Sequence, residues 1–239
     1  MATSCSWQID GATARLQTPT LSGVLDLDQP TRGLVELAYA GNPIEGHLWG
    51  WRATDRARSQ QPAEGEPPRQ KLRDAYVRGD DLIVTYAPTD ACPCETQLYW
   101  QATKTSSATA QLSLLVSIRT HLLDTQPVVH LHSHRQAVTE QTCSDSSLAF
   151  ADPTDTNTVS VLQKIADDSL TLIEACHHED HTQLLTAEQH GSTDWQLFDH
   201  FLEKGVIRRA RLTLAIANEM DRLTTAVEEF FAQPPPLTT

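Results

Sequence analysis

The sequence predicts an all-β fold, a large antiparallel two-layer sandwich with one C-terminal helix. Three observations predict it. Apolar and polar residues alternate in short runs from Trp7 almost to Ile216, turn residues separate these runs, and no strand–helix rhythm comes between them. Roughly a dozen strands of this kind suggest a large two-layer sandwich rather than a doubly wound or βα-barrel architecture, with a closed β-barrel as the alternative. The 239 residues divide into a β-sandwich domain over 1–217 and a C-terminal helix with a Pro-rich tail over 218–239, packed on it.

The elements follow in order. Val35, Leu37 and Tyr39 share one face of a strand that ends at the turn Ala40-Gly41-Asn42-Pro43, and a second strand runs from Ile44 to Trp51. Asp74–Arg78 and Leu82–Tyr86 form a hairpin about Gly79-Asp80-Asp81, because β-branched and aromatic residues alternate on either side of a short turn. Thr96–Ala102, Gln111–Ile118 and Val128–His134 continue the series, followed by Leu170–Cys176, Thr182–Ala187, Trp195–Phe201 and Val206–Ile216. The polar stretches Thr54–Gln70 and Thr139–Asn157 read as loops. His177-His178-Glu179-Asp180-His181 reads as an exposed hairpin turn. At the end, Asn218 caps a helix with Asp221 three residues on, Met220, Leu223, Val227, Phe230 and Phe231 form its apolar stripe, and Pro234-Pro235-Pro236 stops it. That stripe packs on the sandwich or, alternatively, meets a second copy of the chain.

Composition narrows the function. Hydrophobic residues at 39% and charged residues at 21% suffice for a continuous core. Eighteen Lys and Arg against 31 Asp and Glu give a net charge of −13, which repels phosphate backbones and anionic membranes and argues against nucleic-acid or membrane partners. No apolar run approaches the roughly 20 residues that span a bilayer, and the N-terminus lacks the pattern of a secretory signal, so a cytoplasmic location is expected. Five cysteines, Cys5, Cys92, Cys94, Cys143 and Cys176, are odd in number and scattered, as free thiols are. Cys92-Pro93-Cys94 has too short a spacing for a structural zinc site. The Gly-rich phosphate loop, the Gly-x-Ser-x-Gly elbow and the HExxH helix are all absent.

Two segments carry candidate chemistry. Strict alternation from Ile44 to Trp51 places Glu45, His47, Trp49 and Trp51 on one face, with Arg52 directly after. Indoles stack on the apolar faces of sugars while charged neighbours bind hydroxyls, so this face suits a carbohydrate groove, and one of the two indoles should be open to solvent. In His130-Leu131-His132-Ser133-His134 the three imidazoles project to one side while Val129 and Leu131 face the core. Such a row serves proton transfer or hydroxyl binding; His130 and His134 lie about 13 Å apart on an extended strand, too far to share an ion held by bonds of about 2 Å. Near Gly205, Glu203 and Arg208 flank a turn and are a third candidate pair.

Gly46-His47-Leu48-Trp49-Gly50-Trp51, followed by Arg52, Arg56 and Arg58, resembles the early glycine, aromatic and arginine segment of the galactose mutarotase-like proteins, where it leads a strand into the sugar cleft of a β-supersandwich. The resemblance covers about ten residues. It implies sugar binding; in the aldose epimerases of that superfamily two histidines and a late glutamate open the sugar ring by acid–base catalysis, whereas here no Asn-His segment of the epimerase kind is visible and no His-Gly segment precedes an arginine. The combined expectation is a carbohydrate-binding protein of mutarotase-like build, with an isomerase or lyase activity if it is an enzyme. His130, His132 and Glu203 are the candidate catalytic groups, and Glu45, His47, Trp49, Trp51, Arg52, His134 and Arg208 the candidate ligand-binding groups. No metal or cofactor is assigned. The competing readings are a metal-dependent protein using His130, His132 and His134, and an interaction module whose helix drives self-association.

Overall fold

The computed structural model describes residues 6–56, 70–103, 109–135, 139–143, 160–165, 170–186, 191–234 and 236. Arg58, Cys5 and the greater part of both polar stretches lie outside them. The first strands are β1 (Ser6–Asp10), β2 (Thr13–Gln17), β3 (Leu21–Asp26), β4 (Leu34–Tyr39), β5 (Asn42–Pro43) and β6 (Gly46–Asp55). β7 (Lys71–Arg78) and β8 (Asp81–Ala87) form the hairpin that alternation predicts, followed by β9 (Cys94–Thr103), β10 (Thr109–Thr120) and β11 (Pro127–Arg135). The chain continues through β12 (Thr139–Cys143), β13 (Ser160–Ile165), β14 (Leu170–Cys176), β15 (His181–Thr186), β16 (Ser192–Phe198) and β17 (Ile207–Ala217), and ends in helix α1 (Met220–Ala232).

Among the described residues these strands make two antiparallel sheets. The first runs β1-β2-β3-β4-β6-β11-β16-β15, with β5 added beside β4; the second runs β12-β13-β14-β17-β10-β9-β8-β7. Aromatic pairs bridge the two inner faces: Trp7 and Trp49 lie 6.1 and 5.8 Å from Trp100, and Trp51 lies 4.8 Å from Tyr86. Burying such rings removes large apolar areas from water, and their tilted geometries add attraction beyond that burial. Leu112, Leu114, Val116 and Ile118, the inward row of β10, are all at most 1% exposed.

Three local expectations are corrected. Thr139–Cys143 is strand β12, paired with β13, rather than loop. The segment His177–His181 joins β14 in the second sheet to β15 in the first, so it crosses the sandwich instead of closing a hairpin. Its His177, Asp180 and His181 are accordingly buried, and Asp180 accepts the Arg211 backbone N–H at 3.1 Å. α1 starts after Glu219, not Asn218, without a side-chain cap, and Met220 is exposed. Leu223, Ala226 and Val227 pack on Leu162, Ile173, Ala215 and Ala217, so the stripe covers part of the second sheet's outer face.

Candidate functional site

β11 lies between β6 and β16, and register decides which side chains meet across it. His130 stands opposite Arg52 and Gln196, His132 opposite Gly50 and Asp194, and His134 opposite His47 and Ser192. Val129, Leu131 and Ser133 alternate inward and are fully buried, which turns the three imidazoles to the outer face. The two sequence segments singled out independently therefore converge there. His47 Nε2 lies 2.9 Å from His132 Nδ1, and the His47 ring is 6.4 Å from that of His134. His130 Nδ1 is 3.2 Å from Asp194, and His134 Nδ1 2.8 Å from Ser192 Oγ. Gly46 makes this approach possible. It holds φ 111°, and a Cβ there would overlap the His134 carbonyl oxygen.

Burial of His47 at this contact, reinforced by the neighbouring imidazoles and Arg135, pushes its pKa down to about 4. Burial also lowers that of His132, against the opposing pull of Asp194. Both rings are thus neutral at pH 7, and a hydrogen bond between two neutral imidazoles needs one N–H and one lone pair. Whichever ring donates, the pair's two remaining nitrogens comprise one donor and one acceptor. A sugar hydroxyl is likewise donor and acceptor at once. Exchange of the two tautomers also moves a proton from one end of the pair to the other, which is what general acid–base chemistry requires.

The tryptophans are elsewhere. Trp49 is 0% and Trp51 1% exposed, so the expectation of an open indole is corrected and neither offers a face for stacking. The cause is a bulge. The β6–β11 register shifts between His132 and His134, and Trp49 has φ 51°, so strict alternation fails between His47 and Trp49. His47 stays outside with Arg52 while both indoles turn inward. There Trp49 Nε1 donates to Glu174 at 2.9 Å and Trp195 Nε1 at 3.2 Å; Ser133 Oγ donates to it at 3.3 Å, and Arg135 forms an ion pair with it. Glu174 and Arg135 are at most 1% exposed. This buried clasp ties β14 to β6, β11 and β16 directly beneath the histidines.

Glu203 and Arg208 lie away from the histidine face. Glu45 is exposed ahead of β6. Glu203 is exposed in the turn before β17, and Arg208, on the second sheet, lies on the same side of its strand as the buried Ala210 and Leu212. Sequence reasoning missed Asp194, which serves His130, and the clasp of Glu174 and Arg135. A Glu in the largely apolar run Leu170–Cys176 is the available signal. Among the described residues, no three or more His, Cys, Asp or Glu side chains are grouped to hold a metal ion, and no helix is long and apolar enough to cross a membrane.

No protein-family model matches this sequence, and no curated protein matches it significantly. Among solved structures the chain is similar to a heparan sulfate lyase, HepC of Pedobacter heparinus, at TM-score 0.50 and 10% identity over 92% of its length. It spans 37% of the lyase chain. A candidate aldose 1-epimerase from Klebsiella pneumoniae aligns over 94% of this chain and 85% of its own, at 13% identity and TM-score 0.40. The lyase likeness is one of fold: a large antiparallel β-sandwich.

Proposed function

We propose that the chain is a carbohydrate-binding protein whose ligand face is the outer surface of β6, β11 and β16, with His47 and His132 acting there as a neutral acid–base pair. The observation that carries this reading is the 2.9 Å contact between the two imidazoles, flanked by Arg52 and by His130 on Asp194. Its polar groups match the donor and acceptor pattern of sugar hydroxyls, and Arg52 adds a fixed charge. The shared fold with a heparan sulfate lyase supports a saccharide as the ligand class. In this reading His134 and Ser192 extend the face along β11, and Trp49 and Trp51 act from beneath as packing.

Titration calorimetry with a panel of neutral and acidic mono- and oligosaccharides tests the proposal. Binding by the native chain, weakened at least about tenfold in both His132→Gln and Arg52→Gln through loss of hydrogen bonds to the ligand, supports it. Absence of binding across the panel, or binding unaffected by either change, overturns it.

A further inference from the structure

The opposite outer surface, that of the second sheet, holds a groove of about 160 Å³ lined by Glu95, Gln97, Ser117, Arg119, Ile207 and Arg209. Register explains the lining. Gln97, Ser117 and Arg209 form one cross-strand row over β9, β10 and β17, and Glu95, Arg119 and Ile207 the next. Glu95 is the one carboxylate among these lining residues, and it is already gripped from both sides. Arg119 Nη2 is 2.6 Å from its Oε1, and Arg73 pairs with its Oε2. The Glu95 side chain is only 11% exposed, whereas Arg73 and Arg119 remain 57% and 45% exposed. Arg73 and Arg119 thus hold Glu95, and Arg209 lines the same groove one row away, in a chain whose net charge is −13.

We infer that this groove binds a small oxyanion, a carboxylate or sulfate group on a polar ligand. A guanidinium carries five N–H donors in a planar fork that matches both groups, and the hydroxyl and amide of Ser117 and Gln97 supply neutral partners. The volume lies below the about 300 Å³ at which pockets for drug-sized ligands begin, so the groove takes one charged group or one ring rather than a chain. This site is independent of the histidine face.

The test is a titration of the whole chain with inorganic sulfate, glucuronate and, as the neutral control, glucose, followed by amide and arginine side-chain NMR shifts. Sulfate or glucuronate should shift Ser117 and Arg209, glucose should not, and the affinity should fall with added chloride. A sulfate-only or glucuronate-only response identifies the group. Arg209→Gln, which removes neither Arg73 nor Arg119, should weaken the anion about tenfold in a chain that still folds. Anion shifts absent from Ser117 and Arg209 at millimolar concentration, equal shifts with glucose, or full affinity in a folded Arg209→Gln variant would overturn the inference.

Discussion

His47 resists protonation in the folded chain, and that makes stability depend on pH in a definite direction. Its pKa falls from 6.5 in the unfolded chain to about 4, so between these values the unfolded state binds more protons and acidification destabilises the fold. Asp180 acts oppositely. Burial raises its pKa from 3.8 to about 6, so its folded form takes up the proton first and gains stability as pH falls through an overlapping window. The contribution of His47 is therefore read by difference: the native melting temperature should drop more steeply between pH 6.5 and about 4 than that of His47→Gln, and parallel curves would refute the assignment. Beneath it, Glu174 balances Arg135 in a site shut off from water. Glu174→Gln should cost about 3 to 5 kcal/mol in urea unfolding because it strands a buried charge, and replacing Arg135 by Met in the same chain should recover much of that loss. A cost below about 1 kcal/mol, the range of surface pairs, would contradict the burial argument.

The strands that position these side chains differ in how openly the sequence shows them. β10 and β11 alternate along most of their length, so period two alone locates them and correctly turns Val129 and Leu131 inward. β6 does not. Its bulge has no periodic signature, and a residue gained on one strand reverses every face that follows; this is why strict alternation puts Glu45, His47, Trp49 and Trp51 together although the structure separates His47 from the indoles. Asp194 was hidden for a different reason, since its partnership with His130 depends on β16 lying beside β11 and strand order leaves no local trace. β12 was lost in a polar stretch, and nothing in His177–His181 announces a change of sheet. Gly46 is where β6 most depends on one residue. Gly46→Ala should destabilise the chain by about 1 to 3 kcal/mol through overpacking against β11, and in NMR spectra the His47 ring should lose its coupling to His132. An unchanged His47 resonance would show that the glycine does not set the approach.

Over the whole molecule, two sheets joined by a buried ion pair and a layer of tryptophans leave two outer faces, one bearing histidines and the other arginines. The fold was legible in the alternation, and so was the His130, His132 and His134 row; the convergence of that row with His47 and Arg52 required the three-dimensional order of the strands. Hydroxyl and proton chemistry at the histidines needs no bound ion, so protein purified without added metal should hold far less than one equivalent of zinc, and chelation should leave its melting temperature unchanged. Stoichiometric zinc whose removal lowers that temperature would favour metal chemistry on this face. The most direct test of the central claim is to follow the imidazole resonances of the native chain by NMR during titration with the tightest-binding saccharide of the panel. A ligand on the outer face of β6 and β11 should shift His47, His132 and the Arg52 side chain saturably; saturable binding that leaves all three unmoved would refute the assignment of that face.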